Sequence, residues 1–389
     1  MYTIKTLNKI ANAGLNLLDK ENFNIVDDSD NPEAILVRSA SMHEMDIPES
    51  LLAIARAGAG TNNIPIEKCS ENGVVVFNTP GANANAVKEL VVAALLLSSR
   101  KIVDGIEWTK TLEGKGNEVT KLVEKGKSQF VGPEILGKKL GIVGLGAIGV
   151  MVANTAKSLG MEVHGYDPYL SVKSAWGLSR SVKYAASIEE IFENCDYISI
   201  HAPLTDETSA MICKNTIATM KDGARILNFS RAGLVNDVDV IEALESGKLS
   251  CYVTDFPEAE LIGKKGVIAI PHLGASTPES EENCAVMAVQ QVKEYIEHGN
   301  IKNSVNLPDA HMDISGDAKI CIIHKNVVAR VSSITSTISD MNINIENMLN
   351  KSKKDYAYTM LDVTGNICDS IEEKLMAIED VIFARVIKK

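Results

Sequence analysis

Three side chains stand where they could share one reaction. Arg231 follows the run ARILNFS, Glu260 lies five residues past Asp255 at the end of CYVTDF, and His272 follows VIAIP. An imidazole titrates near neutrality and can carry a proton to or from a hydroxyl. A carboxylate beside it, Glu260, stabilises the charged ring, with Glu258 in the same acidic stretch PEAEL as its rival. Arg231 offers a planar, permanently charged fork for a carboxylate and for the charge that grows on a carbonyl oxygen as it becomes an alkoxide. Interconversion of a 2-hydroxy acid and a 2-oxo acid needs these groups, plus something to accept a hydride.

The stretch LGIVGLGAIG, residues 140–149, supplies a place for that acceptor. A lone G-x-G-x-x-G is weak evidence, so its neighbours decide. Gly144 follows the strand LGIV, and AIGVMVANTAKSLG continues as a helix ending at Gly160, a natural C-cap. In such a turn Gly144 makes the tight bend, Gly146 lets the backbone approach a pyrophosphate and Gly149 lets helix and strand pack closely. Free N–H groups at the helix start hold the phosphates. The next strand, MEVHGYD, ends in Asp167, 21 residues beyond Gly146. An acid there accepts hydrogen bonds from ribose hydroxyls and repels a 2′-phosphate, which favours NAD over NADP.

The elements that must position these residues follow from periodicity. From residue 138 the strand candidates LGIVG, MEVHGYD, DYISIHA, ARILNFS, SCYVTDF and VIAIP alternate with helical stretches, which predicts a parallel sheet with crossover helices. Ligands of such open sheets sit beyond the carboxyl ends of the strands, where Arg231, Glu260 and His272 all fall. Ser187-Ile-Glu-Glu190 fits a capping box, and Thr277-Pro278 opens a long helix with proline in its first position. Before residue 98, EAILVRS, LLAIARAG and GVVVFNTP read as strands of a smaller α/β domain. After the long helix, NSVNLPDAHMDISG reads as a linker, and the remaining seventy or so residues read βαββαβ.

The expected architecture is therefore α/β: a Rossmann-type doubly wound sheet over residues 99–274, a flavodoxin-like substrate domain made of 1–98 and 275–303, a linker at 304–316 and a ferredoxin-like domain at 317–389.

Bulk properties narrow the function further. With 389 residues, 45% of them hydrophobic and only 5% aromatic, the chain fits aliphatic α/β layers. A net charge of −12 disfavours a nucleic-acid or anionic-membrane binder, so an anionic substrate needs a local basic pocket. Seven cysteines are scattered without a C-x-x-C pair, which points to reduced cytosolic thiols and away from a zinc or other metal site. The N-terminus lacks the features of a signal peptide, and the longest apolar stretch, residues 90–97, is too short to cross a bilayer. A soluble, cytoplasmic protein is expected.

Together VGLGAIG, HAPLTDET, NFSRAG, DFPEAE and IPHLGAST resemble the D-isomer-specific 2-hydroxyacid dehydrogenases, over nearly the whole chain. The resemblance implies Arg231, Glu260 and His272 as the catalytic set. It departs at the glutamate motif, commonly D-V-F-x-x-E-P, which here runs Asp255-Phe256-Pro257-Glu258-Ala259-Glu260 without a following proline. It also implies a cofactor site at Gly144, Gly146, Ala147, Ile148, Gly149, Asp167, His201, Pro203, Thr208 and Asp255, with Asp255 facing the nicotinamide carboxamide.

VRSA and RAGAGTNNI resemble the substrate loops of the family's phosphoglycerate-oxidising branch, which opens the phosphorylated route to serine. That implies Arg38, Ser39 and Arg56 near a substrate phosphate, the N–H groups of Ala57 and Gly58 near its carboxylate, and Lys127 supplied by a partner subunit. The implied reaction is NAD-dependent oxidation of 3-phospho-D-glycerate to 3-phosphooxypyruvate. The alternatives are a reductase of glyoxylate, hydroxypyruvate or another 2-oxo acid, and a non-catalytic NAD-sensing scaffold such as a corepressor.

The C-terminal βαββαβ unit resembles an ACT domain. In its serine-binding version, a His-x-Asn-x-Pro-Gly loop and a later Asn bind L-serine, which maps onto His324, Asn326 and Asn344. Val327-Val328-Ala329 replaces the Pro-Gly turn, and β-branched residues take a positive φ poorly. A purely structural, dimerising unit is the alternative. Residues 88–108 read as one helix with an apolar middle wider than a single buried stripe, which suggests subunit packing into a homodimer or homotetramer.

Overall fold

The structure, a computed structural model, describes residues 1–368 and 370–389. The chain forms two compact units, one of residues 1–83 with 278–389 and one of residues 84–277. The helix Ala84–Arg100 lies wholly in the second unit.

The first unit opens with a parallel sheet of β1 (Tyr2–Thr6), β2 (Phe23–Val26), β3 (Ala34–Val37), β4 (Ala53–Arg56) and β5 (Val75–Phe77). Its order, β2-β1-β3-β4-β5, is the flavodoxin-like one. The apolar runs AILV and VVF are buried throughout, as strands covered on both faces must be. The edge strand β2 is half exposed and mixes polar with apolar residues, so its periodicity did not announce it.

The second unit carries β6 (Lys139–Val143), β7 (Glu162–Tyr166), β8 (Lys183–Tyr184), β9 (Tyr197–Ile200), β10 (Ala224–Asn228), β11 (Leu249–Thr254) and β12 (Val267–Ala269). Their order, β12-β11-β10-β9-β6-β7-β8, is the doubly wound Rossmann arrangement with one added strand, and it reverses direction between β6 and β9. The helix predicted over residues 88–108 is two helices, Ala84–Arg100 and Ile102–Lys110, parted at Lys101, whose φ of 48° is left-handed. Ser187 does cap its helix, accepting from the Glu190 N–H, while the Glu190 carboxylate accepts from Ala186 N–H rather than from Ser187.

The C-terminal sheet, in the first unit, is antiparallel: β13 (Ala318–Lys325), β14 (Asn344–Lys353), β15 (Tyr356–Thr364) and β16 (Val381–Lys388) in the order β14-β15-β13-β16. With the helices Arg330–Asp340 and Ile371–Met376 it is the expected βαββαβ unit. It is not tethered loosely. Cys321, Ile323, Tyr358 and Met360 join Ile4, Val75, Phe77 and Tyr295 in one core.

The segment read as a linker is bolted to the same unit. Asn306 donates to Val74 O and Ser70 Oγ and accepts from Val76 N–H, and Asp362 accepts from the N–H groups of Ser315 and Gly316. Its polar residues satisfy neighbouring backbone and side-chain groups instead of water, which composition does not distinguish.

The left-handed residue of the β13-to-helix turn is Ala329, φ 68°, so neither β-branched valine has to adopt that conformation. A left-handed alanine costs about 1 kcal/mol relative to glycine. Ala329→Gly is therefore expected to raise stability by roughly 0.5–1 kcal/mol, less any loss from chain entropy, as read by denaturant unfolding.

Candidate active site

The parallel sheet of the second unit delivers its functional residues in one row. Tyr166, Val143, Ile200, Asn228, Thr254 and Ala269 are register partners across β7, β6, β9, β10, β11 and β12. The residues immediately after include Asp167, Gly144, His201 and Asp255. Arg231 and His272 each lie three residues past their strand's last partner, on strands separated only by β11. Two interstrand spacings put these chain ends about 10 Å apart.

The glycines do separable work. Gly144, φ 94°, would place a Cβ 2.6 Å from His201 O, and a Cβ on Gly149 would sit 2.0 Å from Gly144 O. Both are close approaches of backbone to backbone. A Cβ on Gly146 would meet nothing within 4 Å. The turn is open there, beside the start of the helix Ala147–Ser158, whose first N–H groups have no intrahelical acceptor. Asp167 pins the turn, its Oδ2 accepting from Leu145 N–H at 2.8 Å and its Oδ1 from Tyr169 N–H at 2.8 Å. Each oxygen keeps a second lone pair.

Further along the row, His201 and Ser199 Oγ are 2.9 Å apart through Nε2, and Nδ1 is buried with no partner among the described residues. The residue is partly buried, and burial pushes its pKa down to about 4, so it is neutral near pH 7. In the loop that follows, Thr208 donates to Pro203 O, holding the HAPLTDET segment closed on itself.

Asp255 is almost wholly buried; Oδ2 accepts from Gly274 N–H at 3.1 Å while Oδ1 has no partner among the described residues. Burial raises its pKa, against the positive charges of His272 and Arg231, which favour the carboxylate. A spare acceptor on Asp255, an open turn at Gly146 and a half-used Asp167 make a set of groups that fits a dinucleotide with a carboxamide at one end and a ribose diol at the other.

Around the reacting groups, several residues had gone unnoticed in the sequence. Asn228 donates to Arg231 O at 2.9 Å and accepts from Ser230 N–H, and Ser230 Oγ donates to Ile200 O, so the turn carrying Arg231 is fixed to two strands. The Phe256 ring lies 4.6 Å from that of His272.

Among the described residues no hydrogen bond or ion pair joins the His272 ring to Glu260 or Glu258. Pro257 and the short turn Ala259–Leu261 carry both acids toward the helix Asp237–Ser246. There Glu260 lines an open groove of about 440 Å³ with Val238, Ile241 and Lys264. Burial, and then the charges of Glu258 and Glu260, push Asp237 up to about 6. His272 and Asp255 stand close enough for the charge of one to act on the other.

In the first unit, the loop after β3 is tightly held. The Asn8 side-chain oxygen accepts from the N–H groups of Arg38, Ser39 and Ala40 at 3.2, 3.0 and 2.9 Å, and Arg56 Nε donates to Arg38 O at 3.0 Å. The N–H groups of Ala57 and Gly58 are already engaged. They donate to Val37 O and Arg56 O, because the turn after β4 closes back on the sheet. The next two, of Ala59 and Gly60, have no partner among the described residues.

At the C-terminal sheet, His324 is buried with both ring nitrogens engaged, Nδ1 to Lys325 O and Nε2 to Thr359 Oγ1. Asn326 donates to Lys354 O and Asn344 to Glu346. No helix of the described residues is long and apolar enough to cross a membrane.

Residues 92–274 match the family model described as D-isomer specific 2-hydroxyacid dehydrogenase, NAD binding domain. D-3-phosphoglycerate dehydrogenase of Bacillus subtilis is 33% identical over 354 residues, covering 86% of this chain and 64% of that protein. The enzyme of the same name from Methanocaldococcus jannaschii is 34% identical over 296 residues, covering 74% and 54%. The chain thus spans between about half and two thirds of the length of these curated relatives. Among solved structures, NAD+-bound 3-phosphoglycerate dehydrogenase of Entamoeba histolytica aligns with a TM-score of 0.61 at 27% identity, over 78% of this chain and 98% of that one. A D-lactate dehydrogenase of Treponema pallidum, at 20% identity and a TM-score of 0.65 over 79% and 100%, shares the fold.

Proposed function

With residues 92–274 matching the NAD-binding domain of the D-isomer specific 2-hydroxyacid dehydrogenases, we propose that this chain is an NAD-dependent member of that family which oxidises 3-phospho-D-glycerate at C2 to 3-phosphooxypyruvate. The observation that carries the reading is the row of strand ends: it brings Arg231, Asp255 and His272 to the edge of the sheet that also holds the glycine turn.

NAD, when bound, supplies the hydride acceptor. The helix-start amides of Ala147, Ile148 and Gly149 hold its diphosphate, the spare lone pairs of Asp167 its ribose hydroxyls, and Asp255 Oδ1 its carboxamide. His272 takes the proton from the C2 hydroxyl, and Arg231 orients the carboxylate and stabilises charge on the C2 oxygen. Arg38 and Arg56 supply the phosphate site that a chain of net charge −12 needs, and Ala59 and Gly60 take the amide role first assigned to Ala57 and Gly58.

Glu260 keeps its assigned role only if its carboxylate approaches His272 in the substrate complex, where catalytic contacts tighten. Glu260→Gln is then expected to move the acid limb of the pH–rate profile to lower pH, since loss of a nearby negative charge makes imidazolium less stable, while Glu258→Gln leaves the limb in place. Two unshifted profiles would show that neither glutamate acts on the ring.

The purified chain should turn over 3-phosphoglycerate with NAD, and 3-phosphooxypyruvate with NADH, followed by nicotinamide absorbance. Turnover only of acids without phosphate would favour the reductase reading, and NAD binding with no turnover would favour the scaffold. Arg38→Ala is expected to raise the KM for phosphoglycerate about tenfold or more, the cost of a charge-assisted contact, with the KM for NAD unchanged. Equal effects on both would undo the assignment.

The reading extends to a homodimer packed through the helix Ile102–Lys110, where Ile102, Ile106, Trp108 and Phe130 line an apolar groove of about 550 Å³. The cytoplasm suits its free thiols. For the C-terminal ACT-like domain a structural role is favoured over L-serine sensing, because the buried His324 already has both nitrogens engaged.

A further inference from the structure

We propose that Glu281 sets the affinity for doubly charged substrates: it is a built-in anion that occupies Arg38 and that an incoming phosphate must displace. The inference rests on the reading of Arg38 as a phosphate-binding residue. Glu281 Oε1 lies 2.7 Å from Arg38 Nη2, and the two side chains are 45% and 43% exposed.

Neither backbone can yield. The Arg38 N–H is held by Asn8 and its C=O by Arg56, so only side-chain torsions move its guanidinium. Glu281 stands in the first turn of the helix Pro278–His298, which buries Ser280, Cys284, Ala285, Ala288 and Val289. That helix packs so closely on the short helix Asn12–Leu15 that a Cβ on Gly14 would fall 2.5 Å from the Ala285 carbonyl carbon.

The far end of the helix is gripped by three strands of the C-terminal sheet. Arg385 donates to Tyr295 O and Ile296 O, Lys319 to His298 O at 2.7 Å and Tyr358 to Gly299 O at 2.7 Å. The last-turn carbonyls, which a helix leaves unpaired, are thus capped by buried donors, two of them charged. The C-terminal sheet fixes the rod on which Glu281 stands.

The strength of the pair decides what it does. Exposed ion pairs contribute little, so a phosphate bearing nearly two negative charges displaces Glu281 from the guanidinium. An acid with an uncharged tail leaves the pair closed and gains nothing from opening it. On the phosphate-site reading the pair acts on the phosphate and not on the reacting C2, so its effect falls equally on ground and transition states and appears in KM rather than kcat.

Glu281→Gln is expected to lower the KM for 3-phosphoglycerate about two- to fivefold, the range for an exposed pair, and to tighten competitive inhibition by inorganic phosphate by the same factor. The kcat, the KM for NAD and the KM for an unphosphorylated D-2-hydroxy acid stay unchanged. Glu281→Lys lowers the phosphoglycerate KM further. On an Arg38→Ala background Glu281→Gln has no effect on KM. A KM that rises in Glu281→Gln would show that the carboxylate positions Arg38 instead of competing for it, and an unchanged KM would show that it does neither; both overturn the proposal. If Arg38→Ala itself leaves the phosphoglycerate KM unaltered, the phosphate-site reading is what fails.

Discussion

Replacing His272 by glutamine is expected to lower kcat by about 10²- to 10⁴-fold, the range for removing a positioned general acid–base group, while NAD affinity measured by fluorescence titration stays within about twofold. Glutamine keeps the size and a hydrogen-bonding end but cannot exchange a proton near neutral pH. The geometry makes the loss specific. His272 leaves β12 in the same row as Asp255 and lies against Phe256, whereas the turn and helix expected to carry the cofactor come from β6 and β7 on the other side of the sheet's reversal point. The acid limb of the pH–rate profile should vanish with the imidazole. A variant within tenfold of the wild-type kcat, with that limb retained, would mean that another group carries the proton.

Much of this arrangement was legible in the chain because it is local. A strand, three glycines, a helix and an acid at the end of the next strand occupy residues 139–167 without interruption, and hydrophobic alternation locates the strand ends where ligands gather. What escaped is held by contacts distant in sequence. Asn8 acts on Arg38 from thirty residues away, in a segment whose polar residues show no periodicity. Ser230 reaches Ile200, and the supposed linker spends its asparagine on β5.

Spacing along a chain gives no sign of which backbone groups a side chain will satisfy, since that depends on folded neighbours. Glu260 shows the converse: a motif assigns an acid to a position, but a proline and a one-turn helix set its surroundings, here within reach of Asp237. The break at Lys101 belongs with these, as nothing in the apolar pattern of residues 88–108 marks it.

The glycines allow packing and ligand binding to be separated by experiment. Gly149→Ala is expected to destabilise the protein by about 1–3 kcal/mol, the cost of overpacking a close contact, and to raise the KM for NAD at least tenfold. The new methyl would lie 2.0 Å from Gly144 O, and Gly144 cannot retreat: its N–H donates to Tyr166 O at 2.8 Å and its own Cα faces the His201 carbonyl. The helix must therefore tilt off β6. That loosens the packing of Val150, Val152, Ala153 and Ala156 and misdirects the amides needed for a diphosphate.

Gly146→Ala is the control with the opposite balance. Its backbone, φ −71° and ψ −163°, suits alanine, and its Cβ meets no protein atom within 4 Å, so stability should change by less than about 0.5 kcal/mol. The same methyl would stand in the space kept for the cofactor, so the KM for NAD should still rise severalfold. Thermal unfolding and NAD titration of both variants give the test. If Gly146→Ala bound NAD normally, the open space beside the turn would not be the diphosphate cradle, and the assignment of the whole glycine segment would fall with it.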